Sequence, residues 1–146
     1  MSVESTNARR GRRLSPDEER RLVAAATGAR KRAVAPYSGF QVGAALLAED
    51  GTVFGGCNVE SASYGLTNCA ERTAIFKAVS EGVRKFRAIA VVTAAAKPTA
   101  PCGACRQVIW DQCRDIEVVM ATTKGKLLRT RMKDLLPYAF EFGGPV

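Results

Sequence analysis

The chain has no histidine among its 146 residues. Any metal site must therefore be assembled from thiols and carboxylates. Its five cysteines are an odd number, which does not suit a framework of internal disulfides. No apolar run approaches the ~20 residues that a membrane-spanning helix needs. The basic cluster Arg9-Arg10-Gly11-Arg12-Arg13 is not followed by an apolar core of signal-peptide length, so a cytoplasmic protein with no membrane partner is expected. In that reducing compartment a Cys-x-x-Cys pair reads as metal-binding or redox-active. There is no internal repeat. A composition of 47% hydrophobic and 25% charged residues suits a single globular core, so no second domain is required.

Acidic residues are also few, 14 against 22 basic ones, and the formal charge of +8 invites a nucleic-acid partner. Much of that charge is local. The first 32 residues hold nine Lys/Arg against four Asp/Glu, which leaves only +3 for the rest. Residues 1–13 are polar, Arg-rich and aperiodic, and read as a disordered basic arm ahead of one domain over residues 14–146. A phosphate-binding arm is the alternative.

The residues that carry chemistry are Cys69-Ala70-Glu71 and Pro101-Cys102-Gly103-Ala104-Cys105. Cys69, Cys102 and Cys105 supply three soft metal ligands, and Glu71 is a carboxylate not needed as a fourth. Three protein ligands leave a tetrahedral position for water, whereas a structural zinc site is normally closed by four, so the pattern points to catalytic zinc. Cys113, eight residues past Cys105 on one helix, would lie roughly 12 Å along its axis and is a poor fourth ligand. Cys57, on a strand, stays open as one. A thioredoxin-like redox pair would leave Glu71 unexplained.

Local structure supports this reading. Cys69 opens one helix, and Cys102 and Cys105 lie in the first turn of another, so unsatisfied amides and positive dipole ends converge on the sulfurs and favour thiolates. Three thiolates outweigh Zn²⁺ in charge. A nearby cation is wanted, and Arg72 is the candidate. Glu71 is two residues from Cys69, so both can aim at one metal only from the helix end.

Ser15-Pro16-Asp17-Glu18 reads as a helix start, and that helix should run to about Val34. Strands over 40–48 and 52–58 flank a tight turn at Glu49-Asp50-Gly51. A helix from Cys69 to Gly82, a strand over 86–94, a helix over 102–113 and a strand over 116–121 follow. The order α-β-β-α-β-α-β-β implies a mixed sheet covered by helices. Only residues 122–125 separate the last two strands, too few for a parallel crossover, so these must be antiparallel. Asn58 and Glu60 alternate along a strand end and should point to one side, where they could hydrogen-bond sugar hydroxyls. Leu22, Val23, Ala26, Val108, Ile109 and Trp110 suit helix packing or subunit contacts.

The metal motif resembles the all-cysteine form of the zinc deaminase signature. The resemblance extends through Pro36-Tyr37-Ser38-Gly39-Phe40-Gln41-Val42-Gly43-Ala44-Ala45, Asn58-Val59-Glu60, Ser63-Tyr64-Gly65, Cys69-Ala70-Glu71-Arg72-Thr73-Ala74 and Pro101-Cys102-Gly103-Ala104-Cys105-Arg106-Gln107. In order and spacing, over about residues 15–140, these segments are similar to the small homotetrameric cytidine deaminases. The resemblance implies a three-layer α-β-α fold with a five-stranded sheet and one Zn²⁺ per subunit. It also implies a homotetramer with active sites at subunit interfaces, acting on cytidine and 2′-deoxycytidine in pyrimidine salvage.

It further implies residue roles. Glu71 shuttles protons, and Arg72 hydrogen-bonds the zinc thiolates. Phe40 packs on the pyrimidine, and Asn58 and Glu60 grip the ribose. Backbone at Ala70 and near residues 99–101 reads the base, while Tyr64 and Phe140 reach in from neighbouring chains. Ser61 departs from the family's usual second asparagine in that loop. The rivals are a deaminase of an analogue such as blasticidin S, a nucleic-acid cytosine deaminase or binding module, and a zinc-binding interaction protein. Removing residues 1–13 is expected to leave nucleoside turnover nearly unchanged. A steep, salt-sensitive loss of RNA or DNA binding on the same truncation would instead assign the arm to phosphate contacts.

Overall fold

The serine start behaves as the spacing predicts. Ser15 Oγ accepts from the Glu18 amide at 3.1 Å, and the Glu18 carboxylate accepts from the Ser15 amide at 3.0 Å, a reciprocal box closing the first turn. In the computed structural model, which describes residues 13–143, helix α1 spans Pro16–Arg30 and ends short of the expected Val34. The cause lies downstream, in Ala35-Pro36. Backbone before a proline avoids the helical region. The chain extends instead, and Val34 bridges to Val59 with its amide donating to the Asn58 carbonyl at 3.0 Å.

After α1 come β1 Val42–Ala48, β2 Val53–Cys57, a 3-10 turn at Tyr64–Leu66, α2 Ala70–Ser80, β3 Phe86–Thr93, α3 Gly103–Cys113, β4 Glu117–Thr122, β5 Leu127–Arg131 and α4 Met132–Leu135. The 3-10 turn and α4 are absent from the sequence-based order because neither is long enough to show a period. β1 begins at Val42 rather than at residue 40. There the Asn58 side chain takes over from the strand ladder: Oδ1 accepts from the Val42 amide and Nδ2 donates to the Phe40 carbonyl, each at 2.8 Å. Residues 1–12 of the expected arm lie outside the described residues, and Arg13 is exposed. No helix among the described residues is long and apolar enough to cross a membrane.

The strands form one sheet in the order β2-β1-β3-β4-β5. β3 and β4 are parallel with α3 as their crossover, and every other neighbouring pair is antiparallel. In the final hairpin Val119 faces Arg129 and Ala121 faces Leu127, as the short connection demands. Alternate strand residues face opposite layers. Ala45, Leu47, Ala90, Val92 and Val119 bury against Leu22 and Ala26 of α1. On the other face Ala44, Leu46, Ile89 and Val118 bury against Ala70, Ala74 and Ile75 of α2, Ile109 of α3 and Met132 of α4. This is the expected three-layer α-β-α arrangement. Val23, Val108 and Trp110 pack at the margins of these cores.

Two glycines set how closely helices approach the sheet. A Cβ on Gly43 would stand 1.9 Å from the Ala26 carbonyl oxygen, and one on Gly56 would stand 2.5 Å from the Ala74 nitrogen and 2.6 Å from the Ala70 oxygen. α1 and α2 seat where β1 and β2 carry no side chain. The second contact places the first turn of α2, which carries Glu71.

Glu18 also ties α1 to the sheet. Arg87 on β3 donates to its carboxylate through Nη1 and, at 3.2 Å, through Nη2. That guanidinium, helped by Ser15 and opposed by partial burial, holds the Glu18 carboxyl down to about 2. A carboxyl lowered on folding contributes stability that is fully present above its ordinary value of 4.5 and is lost as pH falls through the folded value. Glu18→Gln is expected to cost about 1–2 kcal/mol at neutral pH. Its difference from wild type should shrink as pH drops from about 5 toward about 2, a trend urea midpoints would read.

Candidate metal centre and substrate groove

Cysteines occupy the N-cap positions of both helices on one face of the sheet. Cys69 caps α2 with extended backbone (φ −74°, ψ 157°), and Cys102 caps α3 in nearly the same conformation (φ −66°, ψ 167°). Serine or aspartate at such a position would spend its oxygen on helix amides. Neither cysteine makes a side-chain cap hydrogen bond, so both sulfurs are free to face outward from the helix ends. Cys102 is thus the cap itself rather than a first-turn residue, while Cys105 sits within the turn and is buried.

The three Sγ atoms lie within 4.8 Å of one another, and Cys69 Sγ is 3.9 Å from Cys102 Sγ. Tetrahedral zinc with Zn–S bonds of about 2.3 Å requires sulfurs roughly 3.8 Å apart. Cys69 and Cys102 already stand at that spacing, and the Cys105 sulfur lies within an ångström or so of it. Neither Cys57 nor Cys113 joins the cluster, nor does any carboxylate among the described residues. The thiol that the sequence left open as a fourth ligand is excluded by position, and one tetrahedral site stays available.

The charges around the cluster are arranged to hold anionic sulfur. A hydrogen bond from Cys105 and then the guanidinium of Arg72 lower the Cys69 thiol to about 5. Cys105 moves up in return, since it donates to Cys69 and is buried. In the bare cluster the negative charge settles on Cys69. Arg72 Nη2 donates to Cys69 Sγ at 3.2 Å and lies 3.5 Å from the Thr67 carbonyl oxygen. Its Nε is buried without a hydrogen-bond partner among the described residues, a donor left over for further negative charge. Glu71, on the second residue of α2, is 4% exposed. Burial first, and then the charge on Cys69, push its carboxyl up to about 7.

Asn58 and Glu60 both turn toward residues 37–42, but not from a shared strand, because β2 ends at Cys57. Asn58 is buried, and its amide clamps the backbone on either side of Gln41. Glu60 is half-buried and faces the backbone of residues 37 and 38. Its Oε1 accepts from the Tyr37 and Ser38 amides at 3.0 and 3.1 Å, and its Oε2 accepts from the Ser38 hydroxyl. The Ser38 hydroxyl, then these amides, lower its pKa. Tyr37, Ser38, Glu60, Tyr64 and Thr67 line an open groove of about 400 Å³.

Phe40 is 41% exposed, with its amide held by Ser38 Oγ at 3.0 Å. Tyr64 is 76% exposed and meets Tyr37 edge-on, ring centres 6.0 Å apart. Phe140 is exposed too, on the C-terminal segment, its carbonyl accepting from Gln107 at 2.9 Å. Ala70 is fully buried at the start of α2. Ser61, at the departure from the family pattern, closes its own loop: its amide donates to Thr67 Oγ1 and its hydroxyl accepts from the Ser63 amide. Sequence reasoning missed Tyr37, Ser38 and Thr67 as groove residues. Tyr37 and Ser38 lay inside a motif already singled out, and Thr67 carried no signal.

The family model for the cytidine and deoxycytidylate deaminase zinc-binding region matches residues 16–122. Over 121 residues the chain is 54% identical to a cytidine deaminase of Sporosarcina psychrophila, covering 82% of this chain and 89% of that one. The crystal structure of cytidine deaminase from Burkholderia pseudomallei aligns with a TM-score of 0.82 at 52% identity, covering 87% of this chain and 100% of the other. A blasticidin-S deaminase of Bacillus cereus is more distant, 32% identical over 107 residues, 68% of this chain and 76% of that protein. For a site of these three thiols, Cys102→Ala is expected to purify with most of its zinc lost, as measured by atomic absorption. Full occupancy in that variant would overturn the three-thiolate site.

Proposed function

The chain belongs to the cytidine and deoxycytidylate deaminase family, and from that premise we propose hydrolytic deamination of cytidine and 2′-deoxycytidine to uridine and 2′-deoxyuridine, with release of ammonia. The observation that carries the reading is the trio of sulfurs within 4.8 Å beside a buried carboxylate that is not one of the ligands. Cys69, Cys102 and Cys105 hold one zinc ion. When bound, the ion supplies Lewis acidity that readies a water for attack near neutral pH.

Glu71 handles the protons. Its carboxylate takes one from the attacking water and passes it to the ring nitrogen beside the amine as the oxygen adds to the amine-bearing carbon. It then moves the remaining hydroxyl proton to the amine, which leaves as ammonia while the ring carbonyl forms. Water and substrate together supply every atom of the products. Arg72 offsets the excess thiolate charge, since its Nη2 already donates to Cys69. The amide of Ala70, at the open end of α2, is placed to read the base.

Phe40 packs on the pyrimidine, its backbone carbonyl held by the Asn58 amide. Glu60 receives the sugar. An ionised carboxylate offers about four lone-pair sites. Three are taken by Tyr37 and Ser38, and the remaining one, on Oε2, accepts a single hydroxyl, the 3′-OH. Asn58 likewise keeps one N–H beyond its bond to Phe40. Closure of the open groove falls to neighbouring copies in a homotetramer, with Phe140 and Tyr64, which also lines the groove of its own chain, reaching across interfaces. The exposure of Leu66, Tyr138 and Phe142 as well supports that assembly, because large apolar side chains in water want a partner. The enzyme works in the cytoplasm in pyrimidine salvage. Residues 14–146 form the catalytic domain, and the basic arm takes no part in the chemistry.

An ultraviolet assay with cytidine, deoxycytidine, cytosine, CMP and an oligonucleotide tests the assignment. Turnover is expected for the two nucleosides, with 3′-phosphorylated cytidine and internal cytosines failing. Comparable rates on an internal cytosine would reject it. Glu71→Gln is expected to keep fold and zinc while losing at least ~10²–10⁴-fold in turnover. For Glu60, removing a charge-assisted hydrogen bond costs about 1.5–3 kcal/mol, or roughly 10–150-fold in kcat/KM. Wild type should show that loss on 3′-deoxycytidine, and Glu60→Ala should no longer distinguish the 3′-deoxy substrate from cytidine.

A further inference from the structure

Helix α3 carries two of the three ligand sulfurs at its start, and the residue after Cys105 turns back on them. Arg106 Nε donates at 2.8 Å to the carbonyl of Pro101, the residue before Cys102. Through Nη1 the same guanidinium donates at 2.8 Å to the carbonyl of Leu135, which ends α4. One rigid plane thus spans the metal loop and a segment some thirty residues further on. That segment is anchored behind Leu135 by Met132, fully buried in the core beneath α2 and α3.

Ahead of Leu135 the segment lies along α3. Gln107 donates to the Phe140 carbonyl at 2.9 Å, while Trp110 Nε1 and Arg114 Nη1 donate to Glu141 Oε1 at 3.0 and 2.9 Å. Gln107 and Trp110 are spaced i, i+3 on one stripe of the helix, and Arg114 is the residue that caps its C-terminal end. The stripe begins at Gln107, next to Arg106 and two residues past Cys105. Neither the reaction nor the ligand set accounts for this bridge.

We propose that Arg106 is a positioning residue that couples the metal loop to the C-terminal segment, so that zinc at the cysteines and docking of residues 132–142 along α3 stabilise each other. The inference rests on the zinc reading above. The guanidinium suits this task because its donors diverge in a fixed fork, so a shift of Pro101 in response to the metal is passed to Leu135 rather than absorbed. A lysine in its place is a point charge on a flexible stem and does not transmit direction. Coupling between two binding events is reciprocal. The segment must therefore respond to zinc, and zinc retention must respond to Arg106.

The test begins with wild-type protein, zinc-loaded and chelator-stripped, compared by hydrogen exchange. Stripping is expected to raise exchange severalfold across residues 132–142, with the amides of α1 unaffected. Identical exchange there in both forms overturns the coupling. Arg106→Lys is then expected to release zinc to a chromogenic chelator about 10–100-fold faster than wild type, the usual scale for groups that orient ligands. A variant that loses thermal stability equally with and without zinc, yet releases zinc at the wild-type rate, shows a merely structural arginine and overturns it too. The exchange comparison needs no variant, so it stands if Arg106→Lys fails to fold. Wild-type protein that binds no zinc would sink the metal reading itself. Zinc-bound protein with an unresponsive segment would sink only the coupling.

Discussion

Two helix N-termini meeting over one face of a sheet are the constraint on which the rest of this structure depends. α2 and α3 enter the same layer, and each begins with a cysteine where a capping oxygen would ordinarily sit. The sulfurs are thereby released from helix capping and face one another at 3.9 Å. That distance is set by backbone packing. Gly56 lets α2 rest against β2 closer than any side chain would allow, and Ile75 and Ile109 seat both helices on a shared core.

The electrostatics follow from that meeting. Thiolates at helix ends gain from the positive dipole, but three of them together carry more charge than one divalent ion cancels. Arg72 supplies the balance from one side, bonded to Cys69 with its Nε in reserve. Glu71 sits on the other side of the balance, buried beside the anionic sulfur and therefore readier to hold a proton than an exposed glutamate. Glu71 and Cys69 are two residues apart, yet their surroundings drive their proton affinities in opposite directions, which suits one to transfer and the other to binding.

Around this centre the groove is built from a loop that would not hold its shape alone. Residues 37–42 contain no helix or strand apart from the first residue of β1, and their backbone is pinned at one end by Glu60 and at the other by Asn58. The polar residues beside the groove thus also form the frame that presents Phe40. Such double use leaves a fixed number of free lone pairs and N–H groups, and that number restricts what the groove accepts.

The sequence alone picked out the three thiols that the fold brings together, the buried acid two residues from one of them, the start of α1 and the antiparallel final hairpin. Each rests on short spacings or on thiol chemistry: a cap residue and its third neighbour, or a connection too short to cross a sheet. The five-stranded mixed sheet was legible for the same reason, since alternation and loop length are local. Tertiary structure decided the rest. It excluded Cys57 from the metal, committed Asn58 to backbone, opened the surroundings of Glu60, ended α1 early to pair Val34 with Val59, and laid the C-terminal segment along α3 through Arg106. These contacts join residues far apart in the chain, and which of them form depends on how closely the layers pack, a distance that glycines such as Gly56 set only once the sheet exists.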